Sequence, residues 1–143
     1  MSRIVIDASV AVKWVVAEKG TTEALALLDG GSLSAPDLLI PECANILWKK
    51  VRRSELETDE AIMAARLLQR SDVEIVPTRS LMEEALKLSI DLDHAAYDCI
   101  YLSLALEKDW RFVTADERLK RKIGQLKDPR FDGKVALLSE AVN

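Results

Sequence analysis

A chain of 143 residues fits one domain spanning 1–143, and folding at that size buries on the order of 70% of the unfolded surface, so neither disulfides nor a structural metal are needed to make a core. With 49% hydrophobic and 31% charged residues the composition is that of a soluble globular protein, and no apolar run approaches the roughly 20 residues of a membrane span. A formal net charge of -4 excludes a protein that grips nucleic acid by overall positive charge, so any such contact must be local.

The first element is the run Ile4-Val5-Ile6, which reads as a buried strand that stops on Asp7. The ligand crevice of an open parallel α/β sheet lies just beyond the carboxyl ends of its strands, so Asp7 is the first candidate site residue. Because the strand starts at Arg3 or Ile4, no basic and apolar leader fits before it, and a cytoplasmic location with reduced thiols is expected. Ser9 to Val16 reads as a short apolar helix, and Gly20-Thr21-Thr22-Glu23 opens a second through Leu28, stopped by Gly30-Gly31. Leu33-Ser34-Ala35 is a weak strand. Pro36-Asp37 introduces a long helix through about Arg53, whose start lies between an Asp37 N-cap and Pro41 itself, since proline is tolerated only where the helix has no bond to lose.

Thr58-Asp59-Glu60 starts the next helix, Glu74-Ile75-Val76 is a strand, Ser80 to Ile90 is a helix, and Asp93 or His94 is expected to cap another that reaches Lys108. Arg111-Phe112-Val113-Thr114 is then a strand ending on Ala115-Asp116. Gln125 to Gly133 reads as a polar loop, and Lys134 to Leu138 as a last short strand. Strands alternating with helices of this length imply parallel β-α-β units and a three-layer α/β/α sandwich of about five strands. Cys43 and Cys99 lack metal-type spacing and lie on helices among apolar neighbours, as small buried hydrophobes do.

Two basic patches stand out: Lys49-Lys50-Val51-Arg52-Arg53 at a helix end, and Arg118-Leu119-Lys120-Arg121-Lys122 along another helix. Both qualify as a local nucleic-acid contact, with the preference of cations for helix C-termini through the macrodipole as the plain alternative for the first. Of the 24 acidic residues, most lie on faces where solvation explains them, and four do not. Asp7 and Asp116 follow apolar strands, with N-capping as the plain alternative for each. Glu42 and Asp98 sit in largely apolar helices, where a carboxylate is costly unless a cation or metal neutralises it. Carboxylate oxygens suit Mg²⁺ or Mn²⁺, whereas zinc calls for His and Cys, and this chain has 1 His.

Taken in order, Ile4-Val5-Ile6-Asp7-Ala8-Ser9, Pro36-Asp37-Leu38, Glu42-Cys43-Ala44-Asn45, Tyr97 to Ala105 with Asp98 inside it, and Val113-Thr114-Ala115-Asp116 resemble the PIN domain, in particular the VapC-type ribonuclease toxins of toxin–antitoxin pairs. The resemblance covers essentially the whole chain. It implies that Asp7, Glu42, Asp98 and Asp116 form an acidic, metal-binding catalytic pocket, that Ser9 and Thr114 lend hydroxyls to it, and that Asn45, one turn from Glu42, orients a bound group. It further implies a Mg²⁺- or Mn²⁺-dependent endoribonuclease restrained by a cognate VapB-like antitoxin. Pro41 departs from the small or aliphatic residue usual before that glutamate, which bears on the aim of Glu42.

His94, four residues before Asp98, is a candidate substrate contact, with helix capping as the alternative. Tyr97 and Tyr101 read as packing residues rather than base-stacking platforms. Helices with apolar residues on more than one face, such as 38–48, suggest a homodimer. Haloacid-dehalogenase-like phosphatases need a second Asp where this chain has Ser9, and the paired acids and late lysine of a receiver domain are not evident. A PIN nuclease of RNA processing or decay, and a non-catalytic PIN-like RNA-binding module, are the alternatives within the fold.

Overall fold

The computed structural model describes residues 3–141. Five strands, β1 (Ile4–Ile6), β2 (Leu33–Pro36), β3 (Val73–Val76), β4 (Arg111–Thr114) and β5 (Val135–Leu137), form one sheet in the order β3-β2-β1-β4-β5. Every pairing is parallel. The helices are α1 (Ala8–Ala11), α2 (Thr21–Gly30), α3 (Leu39–Arg52), α4 (Thr58–Gln69), α5 (Met82–Leu92), α6 (Ala96–Lys108), α7 (Glu117–Leu126) and α8 (Leu138–Ala141). They flank the sheet, as the α/β/α expectation requires. No helix among the described residues is long and apolar enough to cross a membrane.

The strand order follows from burial. β1 and β2 are aliphatic or small and almost wholly buried, whereas β3 carries Glu74 and ends the sheet, where a half-solvated strand belongs. Leu33-Ser34-Ala35, weak as a strand on propensity, is an interior one, buried at every residue between β3 and β1 with α6 packed on it; tertiary packing decides such short segments. The chain runs from β1 outward to β2 and β3, then returns to place β4 on the opposite side of β1. The order therefore reverses between β1 and β4. That reversal is where an open parallel sheet parts its loops and leaves a crevice.

Helix boundaries differ from expectation in informative ways. The apolar segment after Asp7 is only four α-helical residues followed by a 3₁₀ turn at Val12–Trp14. α3 begins at Leu39 with Leu38 as its cap, not Asp37, and Pro41 is its third residue. There the missing N–H is one of the four that no helix can satisfy, so Pro41 costs nothing and the helix runs through it. Asp93 does not cap α6. It ends α5 in the left-handed conformation at φ 51, and Ala95 is the N-cap of α6; Asp adopts that conformation more readily than most residues. The polar stretch after α7 contains a 3₁₀ turn, Pro129–Phe131, whose Phe131 is buried. Cys43 and Cys99 are buried and unbridged, as expected.

The core lies on both faces of the sheet. Tyr101, Phe112, Leu33, Leu102 and Leu104 are among its largest fully buried side chains. α6 packs across β1, β2 and β4 and α5 packs against it, so the first turn of α6 is held over the carboxyl ends of the central strands. α3 packs on α1 and α4, which brings its own first turn to the same end.

Candidate active site

Register places the first contact. Ile6 of β1 lies opposite Val113 of β4, so Asp7 and Thr114 leave the sheet side by side, and Thr114 Oγ1 donates to Asp7 Oδ2 at 2.6 Å. Ser9 Oγ donates to the other oxygen, Oδ1, at 2.6 Å, and the Val10 backbone N–H reaches it at 3.3 Å. Each hydroxyl also accepts a backbone N–H from the turn after β4, Ser9 from Ala115 at 3.2 Å and Thr114 from Asp116 at 3.0 Å. With that lone pair taken, each hydroxyl hydrogen is directed to Asp7. The site acid at the end of β1 is thereby locked to the end of β4.

Asp7 is 5% exposed. Burial raises its pKa from 3.8 to about 6, against the lowering effect of its Ser9 and Thr114 hydrogen bonds, and the nearby Asp98 carboxylate raises it further. Glu42, half-buried in the first turn of α3, is raised chiefly by burial and also by Asp98. Its Oε1 accepts the Tyr101 hydroxyl at 2.6 Å, a bond between α3 and α6. Tyr101 is fully buried, stacked on Phe112 with ring centroids 6.0 Å apart, and burial and the Glu42 bond hold its hydroxyl well above the usual phenol range. It therefore stays a donor. Asp98, in the first turn of α6, faces His94 Nε2 through Oδ2. Asp116 caps α7, its Oδ1 accepting from the Leu119 N–H at 3.1 Å.

These elements enclose a pocket of about 530 Å³ whose wall includes Asp7, Ser9, Glu42, Asn45, Asp98 and Asp116, closed by Leu38, Pro41, Ile46, Lys49 and Tyr97. All four expected acids, with Ser9 and Asn45, thus meet at one opening, although 109 positions of sequence separate Asp7 from Asp116. Thr114 does not reach the wall: it is fully buried and acts on the site by holding Asp7. His94 stands behind Asp98 and does not line the pocket, so its neighbour is the carboxylate and not the opening. The capping alternatives for Asp7 and Asp116 also hold. One carboxylate has lone pairs for both a helix N-terminus and a ligand, and the two readings do not compete.

Sequence reasoning missed what three residues contribute to the site. Tyr101 is a packing residue as expected, but its hydroxyl also fixes Glu42, and only the tertiary meeting of α3 and α6 reveals that. Tyr97 is no packing residue: it is 63% exposed at the pocket rim, because the first turn of α6 projects past the strands. Lys49 lies on the pocket wall, one turn beyond Asn45, and that spacing was a usable signal.

A hard divalent cation suits this donor set, which is carboxylate, hydroxyl and amide oxygen without thiolate at the opening. Among the described residues no group of three or more His, Cys, Asp or Glu is gathered as ligands around one point. Each acid leans instead on a donor of its own, Asp7 on two hydroxyls, Glu42 on Tyr101, Asp98 on His94 and Asp116 on a helix N-terminus. Cys43 lies beside the site, but burial and the Glu42 and Asp7 carboxylates push its thiol up to about 12, so it is no thiolate nucleophile at neutral pH.

The family model described as the PIN domain matches residues 4–124. Ribonuclease VapC3 of Pyrobaculum aerophilum is 28% identical over 130 residues, covering 89% of this chain and 99% of that protein. Among solved structures, PAE2754 from Pyrobaculum aerophilum superposes with a TM-score of 0.74 at 18% identity, over 99% of this chain and 93% of that one. Mycobacterium tuberculosis VapC20, a sarcin–ricin loop cleaving toxin, gives a TM-score of 0.64 at 15% identity, over 82% of this chain and 93% of that one. At these identities the structural likeness is one of fold.

Proposed function

Because the chain belongs to the PIN-domain family, we propose that it is a Mg²⁺- or Mn²⁺-dependent endoribonuclease that hydrolyses RNA phosphodiester bonds, the toxin of a VapBC-type pair acting in the cytoplasm. The observation that carries this reading is the meeting of Asp7, Glu42, Asp98 and Asp116 at one pocket over the β1–β4 reversal. The similarity to ribonuclease VapC3 along nearly the full length of that protein supports the choice of RNA and of a VapC-type enzyme.

In this reading the four carboxylates are the catalytic, metal-holding residues. Asp7, Glu42, Asp98 and Asp116 would hold a divalent ion, which would supply Lewis acidity and charge neutralisation at the phosphodiester. The rest of the work belongs to side chains of the chain. Ser9 and Thr114 keep the Asp7 carboxylate aimed outward, since rotation would break two short hydrogen bonds. Tyr101 does the same for Glu42 and His94 for Asp98. Such fixed orientation saves reorganisation at the moment of reaction. Asn45 presents an amide at the opening, able to donate to a phosphate oxygen. Leu38, Pro41 and Ile46 make an apolar border that limits water around the acids.

The deciding experiment is incubation of the purified protein with total RNA in Mg²⁺, in Mn²⁺ and in EDTA, followed by mapping of the cut ends. Discrete cuts that need metal and vanish in Asp98→Asn are the expected result. RNA left intact in both metals overturns the nuclease reading and favours a binding module.

A further inference from the structure

Lys49, Arg52 and Arg53 are all exposed on or just after α3. Positions 42, 45, 49, 52 and 53 recur at helical spacing, so the three cations continue the face that carries Glu42 and Asn45. Lys49 lines the acidic pocket. Together with Arg52 and Arg53 it also lines a second hollow of about 260 Å³. The two hollows share Lys49 as a common wall, and at about 1.5 Å of rise per residue Arg53 stands about 16 Å from Glu42 along the helix.

The plain explanation, cations answering the helix dipole, does not account for all of them. Lys50 is the residue committed to the protein's own structure: its Nζ pairs with Glu18 at 2.9 Å and Glu55 at 3.8 Å. Lys49, Arg52 and Arg53 pair with no acid among the described residues. Arg52 lies over the Trp48 ring at 5.4 Å from its centroid, which restrains the guanidinium while leaving its N–H edge free for an anion. Electrostatics also ask for such a strip. Four carboxylates around a scissile bond repel the phosphates on either side, and a net charge of -4 offers no general attraction. Affinity for a polyanionic strand must come from cations just outside the acids.

We propose that Lys49, Arg52 and Arg53 form a phosphate track that leads single-stranded RNA along α3 into the carboxylate pocket, an inference that rests on the nuclease reading above. The track binds backbone, so it sets affinity and path without reading sequence.

The test measures binding of a fluorescein-labelled single-stranded RNA of mixed sequence by anisotropy, in Mg²⁺ and an Asp98→Asn background, across a range of salt. Arg52→Ala/Arg53→Ala is expected to weaken binding about tenfold at low salt and to lower the slope of log K against log salt by about 1.4, roughly 0.7 per lost phosphate contact. Arg52→Lys/Arg53→Lys restores the slope, because charge sets counterion release. Arg70→Ala/Lys87→Ala removes two charges, one just after α4 and one on α5, and leaves the slope at its starting value. In the protein with Asp98 intact, Arg52→Ala/Arg53→Ala raises KM for total RNA by a similar factor with kcat within about twofold. An unchanged slope, an equal fall in the α4 and α5 control, or no RNA binding at all overturns the track. Cleavage with an unchanged slope removes the track and leaves the nuclease; the expected slopes without cleavage in either metal remove the nuclease and leave the track.

Discussion

Thr114 Oγ1 and Asp7 Oδ2 are 2.6 Å apart across the junction of β1 and β4, and that bond lies at the one place in the sheet where strand order reverses. Asp7 is consequently both buried and fixed, and its pKa near 6 has a consequence for stability. The folded protein holds this proton more tightly than the unfolded chain does, so the group's contribution is full below pH 3.8 and is lost as pH rises through about 6. The difference is worth roughly 3 kcal/mol. Denaturant unfolding in EDTA should show the wild type losing stability between pH 4 and 7 on this account, while Asp7→Asn loses less and is the more stable of the two at pH 8. Added Mg²⁺ or Mn²⁺ should raise Tm at pH 8 for the wild type far more than for Asp7→Asn. Equal stability of the two proteins at pH 8 in EDTA would sink the argument.

Tyr101 offers a separable test, since its ring and its hydroxyl do different things. Tyr101→Phe keeps the stacking on Phe112 and removes only the donor to Glu42. Loss of a hydrogen bond to a charged group should cost about 1.5–3 kcal/mol of stability, offset in part because an unheld Glu42 can turn toward water. Cleavage should fall by about tenfold at saturating RNA, with KM little changed, as expected when a group acts on the transition state through a fixed neighbour. Turnover at the wild-type rate would reduce Tyr101 to a core residue.

The acids were legible because their sequence surroundings contradict them. Asp7 ends an aliphatic strand, and Asp98 interrupts an apolar helix. Glu42 sits between Pro41 and Cys43 in a largely apolar stretch, and no solvated face explains it. Ser9 and Thr114 entered alike through the family resemblance, as hydroxyls at the pocket, but which acid each one holds was not legible. Thr114 and Tyr101 come from 107 and 59 residues away, and pairings of that range follow from sheet register and helix docking, which no local pattern encodes. The α6 start was misread for a different reason. Asp93 has the composition of an N-cap, but its left-handed backbone closes the preceding helix, and Asp serves both purposes. Exposure of Tyr97 depends on how far α6 overhangs the strands, which is again a tertiary fact.

Self-association is the next expectation. α5 leaves Met82, Leu86 and Ile90 exposed at four-residue spacing, and the α3–α4 side leaves Ile40, Trp48, Ile62, Met63 and Leu67 exposed. Apolar side chains grouped in this way mark interaction surfaces. Light scattering at micromolar concentration should give about twice the 15.9 kDa chain mass, the twofold dimer being the usual solution. Ile90→Glu and Met63→Glu then distinguish the two faces by which one returns the monomer. A wild-type mass of one chain removes the dimer.

If a VapB-like antitoxin restrains the protein, as the proposed function holds, the charge of the pocket determines how it does so. Four carboxylates with only Lys49 among the lining residues as a cation give this pocket an attraction for a further positive group. A guanidinium can fork onto a carboxylate and take the place of a metal, with charge-assisted hydrogen bonds that exclude water at the same time. The apolar groove between α3, α4 and β3, lined by Leu39, Ile40, Leu47, Leu68 and Ile75 among others, would give an antitoxin segment its hydrophobic hold. Inhibition should therefore compete with metal: high Mg²⁺ or Mn²⁺ raises the antitoxin concentration needed for half-inhibition. Replacing the inserted Arg by Ala should restore cleavage with a smaller loss of binding, because the apolar contact persists. Titration of antitoxin against cleavage at several metal concentrations decides the matter, and an inhibition constant indifferent to metal would mean that the block lies away from the carboxylates.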